Sequence, residues 1–279
     1  MLRRRNILST LQIARMAFAE SADLTMYYRA AGPPVAPRVV FLNSLGTDCR
    51  IWDDLILELG GRVRSLRYDE RGQGLTQSPD GPYTIVDHAD DLAGLLDSLR
   101  WGPAVLCGLS IGGMIAMAAA VRRPDLVQGL VLADTADLIG PREFWDTRIS
   151  QVRADGLEPL AATVMERWFG TSYRREQTVA VRGWTALLAR APVNGYLGSC
   201  AALRDANLSA LLGSITVPAV CICGSEDQST PTAAVMSLAR RLPDATYREI
   251  SGAGHLAPVE CPAEFAAILL QFLEERVER

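Results

Sequence analysis

The sequence predicts an α/β protein: a mostly parallel sheet with helices on both faces and a helical insertion late in the chain. Two observations predict it. Short apolar or β-branched runs alternate with segments whose apolar residues recur at helical spacing, and crossover helices between parallel strands produce that rhythm. Residues 136–212 then keep the helical patterns but lose the strands, as an insertion seated over the strand ends would.

The elements follow in order. Arg38–Asn43 and Val63–Tyr68 read as buried strands, the second running into the turn sequence DERGQG. Asp87–Leu99 places Ala89, Leu92, Leu95 and Leu96 at helical spacing. Ala104–Gly108 is a third strand, Ile111–Arg122 a helix rich in Ala and Met, and Leu126–Ala133 a fourth strand. Pro218–Gly224 and Ala245–Ile250 supply two more strands, and a final helix runs from Pro262 toward Arg276. The chain divides into a core of residues 16–135 and 213–279 and a helical lid of residues 136–212. The lid holds Trp145, Trp168 and Trp184, which either line a ligand site or add a layer of aromatic core. Residues 1–15 carry four arginines and no acid, and Ser9, Thr10 and Gln12 interrupt their apolar stretch. They are expected to lie outside the fold, with an upstream start ahead of Met16. No run reaches the roughly 18 apolar residues of a spanning helix.

Composition excludes several chemistries. The chain has 279 residues, and all 28 of its basic residues are arginine. Without lysine there is no Schiff base to pyridoxal phosphate, no Walker A loop and no protein-kinase strand lysine. With only His88 and His255, a three-histidine metal site is impossible, and a binuclear one would need mostly carboxylates. A net charge of −4 gives no basic surface for nucleic acid. The six cysteines form no CxxC pair and several sit in apolar runs, as buried thiols of a cytoplasmic protein would.

The chemistry centres on Gly108-Leu109-Ser110-Ile111-Gly112. A predicted strand precedes this G-x-S-x-G and a predicted helix follows, so the serine falls on a sharp turn that lifts its hydroxyl off the sheet. A serine hydroxyl needs a base. His255 lies in a glycine-rich loop after the last strand, where a sheet edge presents side chains. His88 sits at the start of a helix among acids and reads as a solvated or capping residue. The histidine in turn needs a carboxylate. Asp227 takes that place by chain order, Ser110 then Asp227 then His255. Glu226 beside it and Asp134 after the strand GLVLA are the competitors. Two backbone donors should meet the developing oxyanion: Ile111 N–H, directly after the serine, and Leu45 N–H, in the loop after RVVFLN.

At these residues the chain resembles the 3-oxoadipate enol-lactonases of the α/β-hydrolase superfamily. The resemblance spans Met16 to Phe272. It rests on FLNSLGTD with Trp52 after it, RYDERGQG with GPYTI, GLSIGG, LADTADLIG with Trp145 and Arg148, ERWF at Glu166–Phe169, GSEDQSTP, and GAGHLAPVECP. It implies a cofactor-free hydrolase acting on a small anionic lactone, with Ser110 as nucleophile, His255 as base and then acid, and Asp227 as its orienting carboxylate. The substrate's carboxylate calls for a cation in the pocket. Arg148, one helical turn from Trp145, is the candidate, and the pair is expected to bind substrate. Where relatives often carry Arg-Gly-His-Gly, this chain has Arg71-Gly72-Gln73-Gly74, for which a structural turn role is expected. The same triad would equally serve a carboxylesterase, a carbon–carbon bond hydrolase or a ligand receptor on a hydrolase fold.

Overall fold

The computed structural model describes residues 15–277. Its sheet has eight strands in the order β1-β2-β4-β3-β5-β6-β7-β8. These are β1 (Arg15–Ser21), β2 (Leu24–Ala31), β3 (Arg38–Leu42), β4 (Arg64–Tyr68), β5 (Ala104–Leu109), β6 (Val127–Ala133), β7 (Ala219–Gly224) and β8 (Ala245–Ile250). Only β1 with β2 and β2 with β4 pair antiparallel; every later neighbour is parallel. All six residues of β5 and of β7 are buried, so both faces of the sheet are covered there. That is why AVLCGL and AVCICG read as unbroken apolar runs rather than alternating ones.

The crossovers are α1 (Asp53–Leu59), α2 (Ile85–Leu99) and α3 (Ile111–Arg122), with α1 packed on the C-terminal helix and α2 on α3. The chain runs β3 to β4 in one direction, then returns past β3 to β5. This reversal opens a crevice between the carboxyl ends of β3 and β5, the place where open α/β sheets bind ligands. The loop holding Leu45 leaves one of these strands and Ser110 leaves the other.

Between β6 and β7 come five helices and, among the described residues, no strand: α4 (Arg142–Asp155), α5 (Glu158–Trp168), α6 (Thr171–Glu176), α7 (Thr178–Ala189) and α8 (Val193–Asp205). Helix α4 packs on α8 and α5 on α7. Then follow α9 (Thr232–Arg241), over β7 and β8, the short α10 (Ala257–Glu260) and α11 (Pro262–Phe272).

Two features differ from the sequence reading. The β1–β2 hairpin was not expected. Its two-residue turn is Ala22-Asp23, with Ala22 at φ 50°, and lacks the Asn-Gly or Asp-Gly signal of such turns. The expected N-terminal extension lies outside the described residues except for Arg15, whose backbone pairs with Ala30.

Candidate active site

Ser110 stands at φ 58°, ψ −117°, between the end of β5 and the first turn of α3. A non-glycine residue holds such a backbone only when its surroundings enforce it. Here they do. The Ser110 carbonyl accepts from Gly113 N–H at 2.9 Å and from the Thr135 hydroxyl at 2.6 Å, and its own N–H donates to Ala133. A Cβ at Gly108 would lie 2.2 Å from the Gly112 carbonyl oxygen, and one at Gly112 would lie 2.5 Å from that of Leu42. Both positions therefore exclude any side chain. The hydroxyl is left at the positive end of α3, where free N–H groups favour developing negative charge.

His255 is buried in the loop between β8 and α10, and its Nδ1 lies 2.9 Å from Asp227 Oδ2. The Thr230 hydroxyl donates to the same oxygen at 2.6 Å, and Ser229 N–H donates to Oδ1 at 2.7 Å. Burial alone would raise the Asp227 carboxyl, but His255, Thr230 and Ser229 outweigh it and hold the group below its ordinary range. Ser110 and His255 both open onto one cavity of about 310 Å³. Leu45 shares that cavity, and neither Leu45 N–H nor Ile111 N–H donates to a protein acceptor among the described residues.

The competing acids are placed elsewhere. Glu226 is exposed and accepts from Thr171 N–H at 2.7 Å. Asp134 is fully buried, with Oδ1 accepting from Gly224 N–H at 2.8 Å rather than entering the ion pair expected of a bystander. Burial, and then the charge of Asp227, drives its carboxyl well above the ordinary range. Asp134, Cys223 and Asp227 bring one ligand atom each within 4.8 Å of one another. The trio makes a poor metal site: the Cys223 thiol is raised by burial and Asp227 is committed to His255.

His88 departs from the sequence reading. It is buried, not solvated, and Thr84 with Asp87 forms the capping box of α2 instead. The reason lies in the helical period: Ile85, His88, Ala89, Leu92, Leu95 and Leu96 form one buried stripe, and His88 falls inside it. Its Nε2 is 3.5 Å from Ser199 Oγ on α8, and burial, helped by Arg71, lowers its pKa to about 3.

Trp145 and Arg148 on α4 both line the cavity. The Trp145 indole N–H donates to the Ile139 carbonyl at 2.6 Å, and Arg148 Nη1 donates to the Tyr196 hydroxyl at 3.0 Å. Trp168 also lines it, whereas Trp184 does not.

Two residues around the site, Glu70 and Glu260, were not singled out from the sequence; Gln73 was, with a structural turn role expected. Glu70 is buried and accepts from Asn43 N–H at 2.6 Å and Asn43 Nδ2 at 2.7 Å, while Asn43 Oδ1 accepts from Trp52 Nε1. This network holds the start of the Leu45 loop, and burial pushes the Glu70 carboxyl up to about 8. Gln73 faces the same loop, and the amide orientation that satisfies both of its ends has the nitrogen donating to the Ser44 and Thr47 carbonyls. Glu260 accepts from Gly254 N–H at 2.8 Å and from Gly170 N–H at 2.9 Å. The RYDERGQG and HLAPVECP motifs contained these side chains, but backbone partners leave no trace in a sequence.

Comparison with known proteins finds relatives along most of the chain. Residues 39–268 match the model of the alpha/beta hydrolase family. The 3-oxoadipate enol-lactonase 2 of Acinetobacter baylyi is 32% identical over 243 residues, covering 87% of this chain and 91% of that protein. The 3-oxoadipate enol-lactonase 1 of the same organism is 30% identical over 250 residues, covering 90% and 93%. The crystal structure of the enol-lactonase from Burkholderia xenovorans LB400 matches with a TM-score of 0.90 at 34% identity, over 93% of this chain and 100% of that one.

Proposed function

This chain belongs to the alpha/beta hydrolase family, and from that premise we propose that it opens the lactone ring of 3-oxoadipate enol-lactone through an acyl-enzyme. The observation that carries the reading is the shared cavity: Ser110, His255, Trp145 and Arg148 all line it, and Asp227 is bonded to Nδ1 of the imidazole. The enol-lactonase relatives supply the substrate.

Ser110 Oγ attacks the lactone carbonyl carbon while His255 Nε2 takes its proton. Asp227 keeps the proton of His255 on Nδ1 and stabilises the imidazolium that forms. The oxyanion is met by the Ile111 and Leu45 N–H groups, which donate to no protein acceptor among the described residues. The ring C–O bond then breaks. Its oxygen leaves as an enol, takes the proton from His255 and tautomerises to the ketone. An enol leaves more readily than an alkoxide, so this acid assistance is modest. Water, deprotonated by His255, attacks the Ser110 ester and releases 3-oxoadipate. The five helices α4–α8 act as a lid over this chemistry, and Arg148 meets the substrate carboxylate. The six unpaired cysteines fit a protein working in the reducing cytoplasm.

The test follows the ultraviolet absorbance of freshly made enol-lactone. The protein should accelerate its loss, and Ser110→Ala should reduce kcat by about 10⁴-fold or more. No acceleration, with rapid turnover of simple esters, would reassign the protein as a carboxylesterase.

A further inference from the structure

Helices α4 and α5 deliver a second guanidinium to the cavity. Arg148 and Arg167 both line it, and both lie against Phe144, at 5.0 and 5.2 Å from the ring centre. Neither has a carboxylate partner among the described residues, whereas Arg142 and Arg204 nearby are both paired with Asp205. Arg148 is held by the Tyr196 hydroxyl, and Arg167 Nη2 donates to the Gln228 carbonyl at 3.1 Å, beside the Asp227 loop. The wall between them is largely apolar, with Ile139, Val164, Trp168 and Leu203. Two like charges in such a wall are desolvated and repel each other, and burial together with Arg148 lowers the proton affinity of Arg167. An entering carboxylate offsets both costs, with charge-assisted hydrogen bonds that the planar guanidinium fork suits.

We propose that Arg167 is a second specificity-determining cation, and that Arg148 and Arg167 together select substrates carrying a carboxylate. The inference rests on reading this cavity as the substrate site. It explains why two helices each bring an unpaired arginine to one aromatic ring, which a single surface ion pair would not. It also assigns a use to the arginine of ERWF.

The test is made in the Ser110→Ala protein at pH 7, by calorimetry. The probes are adipate, monomethyl adipate and dimethyl adipate, a series of one chain length carrying two, one and no charges. The expected order is tighter binding of the two anions than of the diester. Adding Arg167→Met should weaken the anions about tenfold or more and the diester less than about twofold. Arg167→Lys, which keeps the charge without the fork, should recover part of the loss and guards against misreading a folding defect. Equal weakening of all three probes by Arg167→Met would show that Arg167 merely holds the Gln228 loop, and would overturn the proposal. So would anion binding that survives Arg167→Met but is lost in Arg148→Met. Enol-lactone turnover by the unmodified protein separates the two readings. Charge-ordered, Arg167-dependent binding without turnover would remove the lactonase and keep the anion selectivity; turnover without charge order would do the reverse.

Discussion

Glu260 accepts a hydrogen bond from the backbone of Gly170 at 2.9 Å, across ninety residues of chain. Gly170 follows α5, and the other carboxylate oxygen of Glu260 holds Gly254, the neighbour of His255. One half-buried side chain therefore ties the helical segment to the histidine loop. A third strand of the tie is Leu256 N–H, which donates to the Trp168 carbonyl at 2.9 Å.

Glu260→Gln should loosen that joint. Glutamine offers one acceptor where two are needed, and its NH₂ would face a second N–H. The expected cost is about 1–3 kcal/mol of stability, with kcat falling more than KM changes, because His255 loses its fixed position. Thermal unfolding and steady-state kinetics on one preparation check both. Unchanged kcat with a lowered Tm would confine Glu260 to a structural role.

The two buried aspartates should behave differently. Asp227→Asn should lower kcat by about 10³–10⁴-fold, since the imidazole loses its tautomer control and charge stabilisation. Asp134→Asn should cost less than about tenfold: burial already disfavours a charge on this carboxyl, and the amide oxygen can still accept from Gly224. A larger loss in Asp134→Asn than in Asp227→Asn would exchange their roles.

Glu70→Gln should act on the oxyanion loop. It replaces one acceptor of the Asn43 pair with a donor, leaving a buried N–H unmatched. Leu45 lies two residues on, so the expected effect is a kcat loss of about tenfold to a hundredfold, the scale of a weakened oxyanion donor. Pre-steady-state acylation rates would locate the loss in the first step.

His88 makes a signed pH prediction. Its folded pKa is lowered to about 3 from an ordinary 6.5, so below pH 6.5 the unfolded chain binds a proton that the folded one does not. Stability from this group is therefore fully present above about pH 6.5 and is lost as the pH falls. Between pH 7 and pH 5 the native protein should lose about 2 kcal/mol more than His88→Gln, with all other titrations common to both. Denaturant melts at the two pH values measure this difference. Equal losses would mean that His88 is solvated after all.

The parallel core was legible because its signal is local. VVFL, AVLCG and AVCICG are apolar on every residue, as strands buried on both faces must be, and the helices between them keep a 3.6-residue period. The G-x-S-x-G turn was legible for a similar reason. Its glycines are demanded by backbone atoms within a few residues or in the adjacent strand, as at Gly108 and Gly112. The β1–β2 hairpin was not legible, because β1 is an edge strand with Phe18 exposed and its turn lacks special residues.

Around the site, the residue types and their chain order were readable, but the partners were not. The helical period of IVDHADD puts His88 on the apolar stripe, but nothing in it shows that Ser199 of α8 is its neighbour, and nothing in the order of the acids shows that Asp134 bonds Gly224 while Asp227 bonds His255. Sequence carries the strand and helix periods and the chemistry of each side chain, because these are properties of neighbours along the chain. Which carboxylate stays charged, which histidine stays neutral and which arginines go unpaired depend on burial and on contacts between distant segments. The fold creates those when distant segments pack: the ends of β6 and β7 and the loops after β7 and β8 for the carboxylates, α8 beside α2 for His88, and α4 with α5 for the arginines.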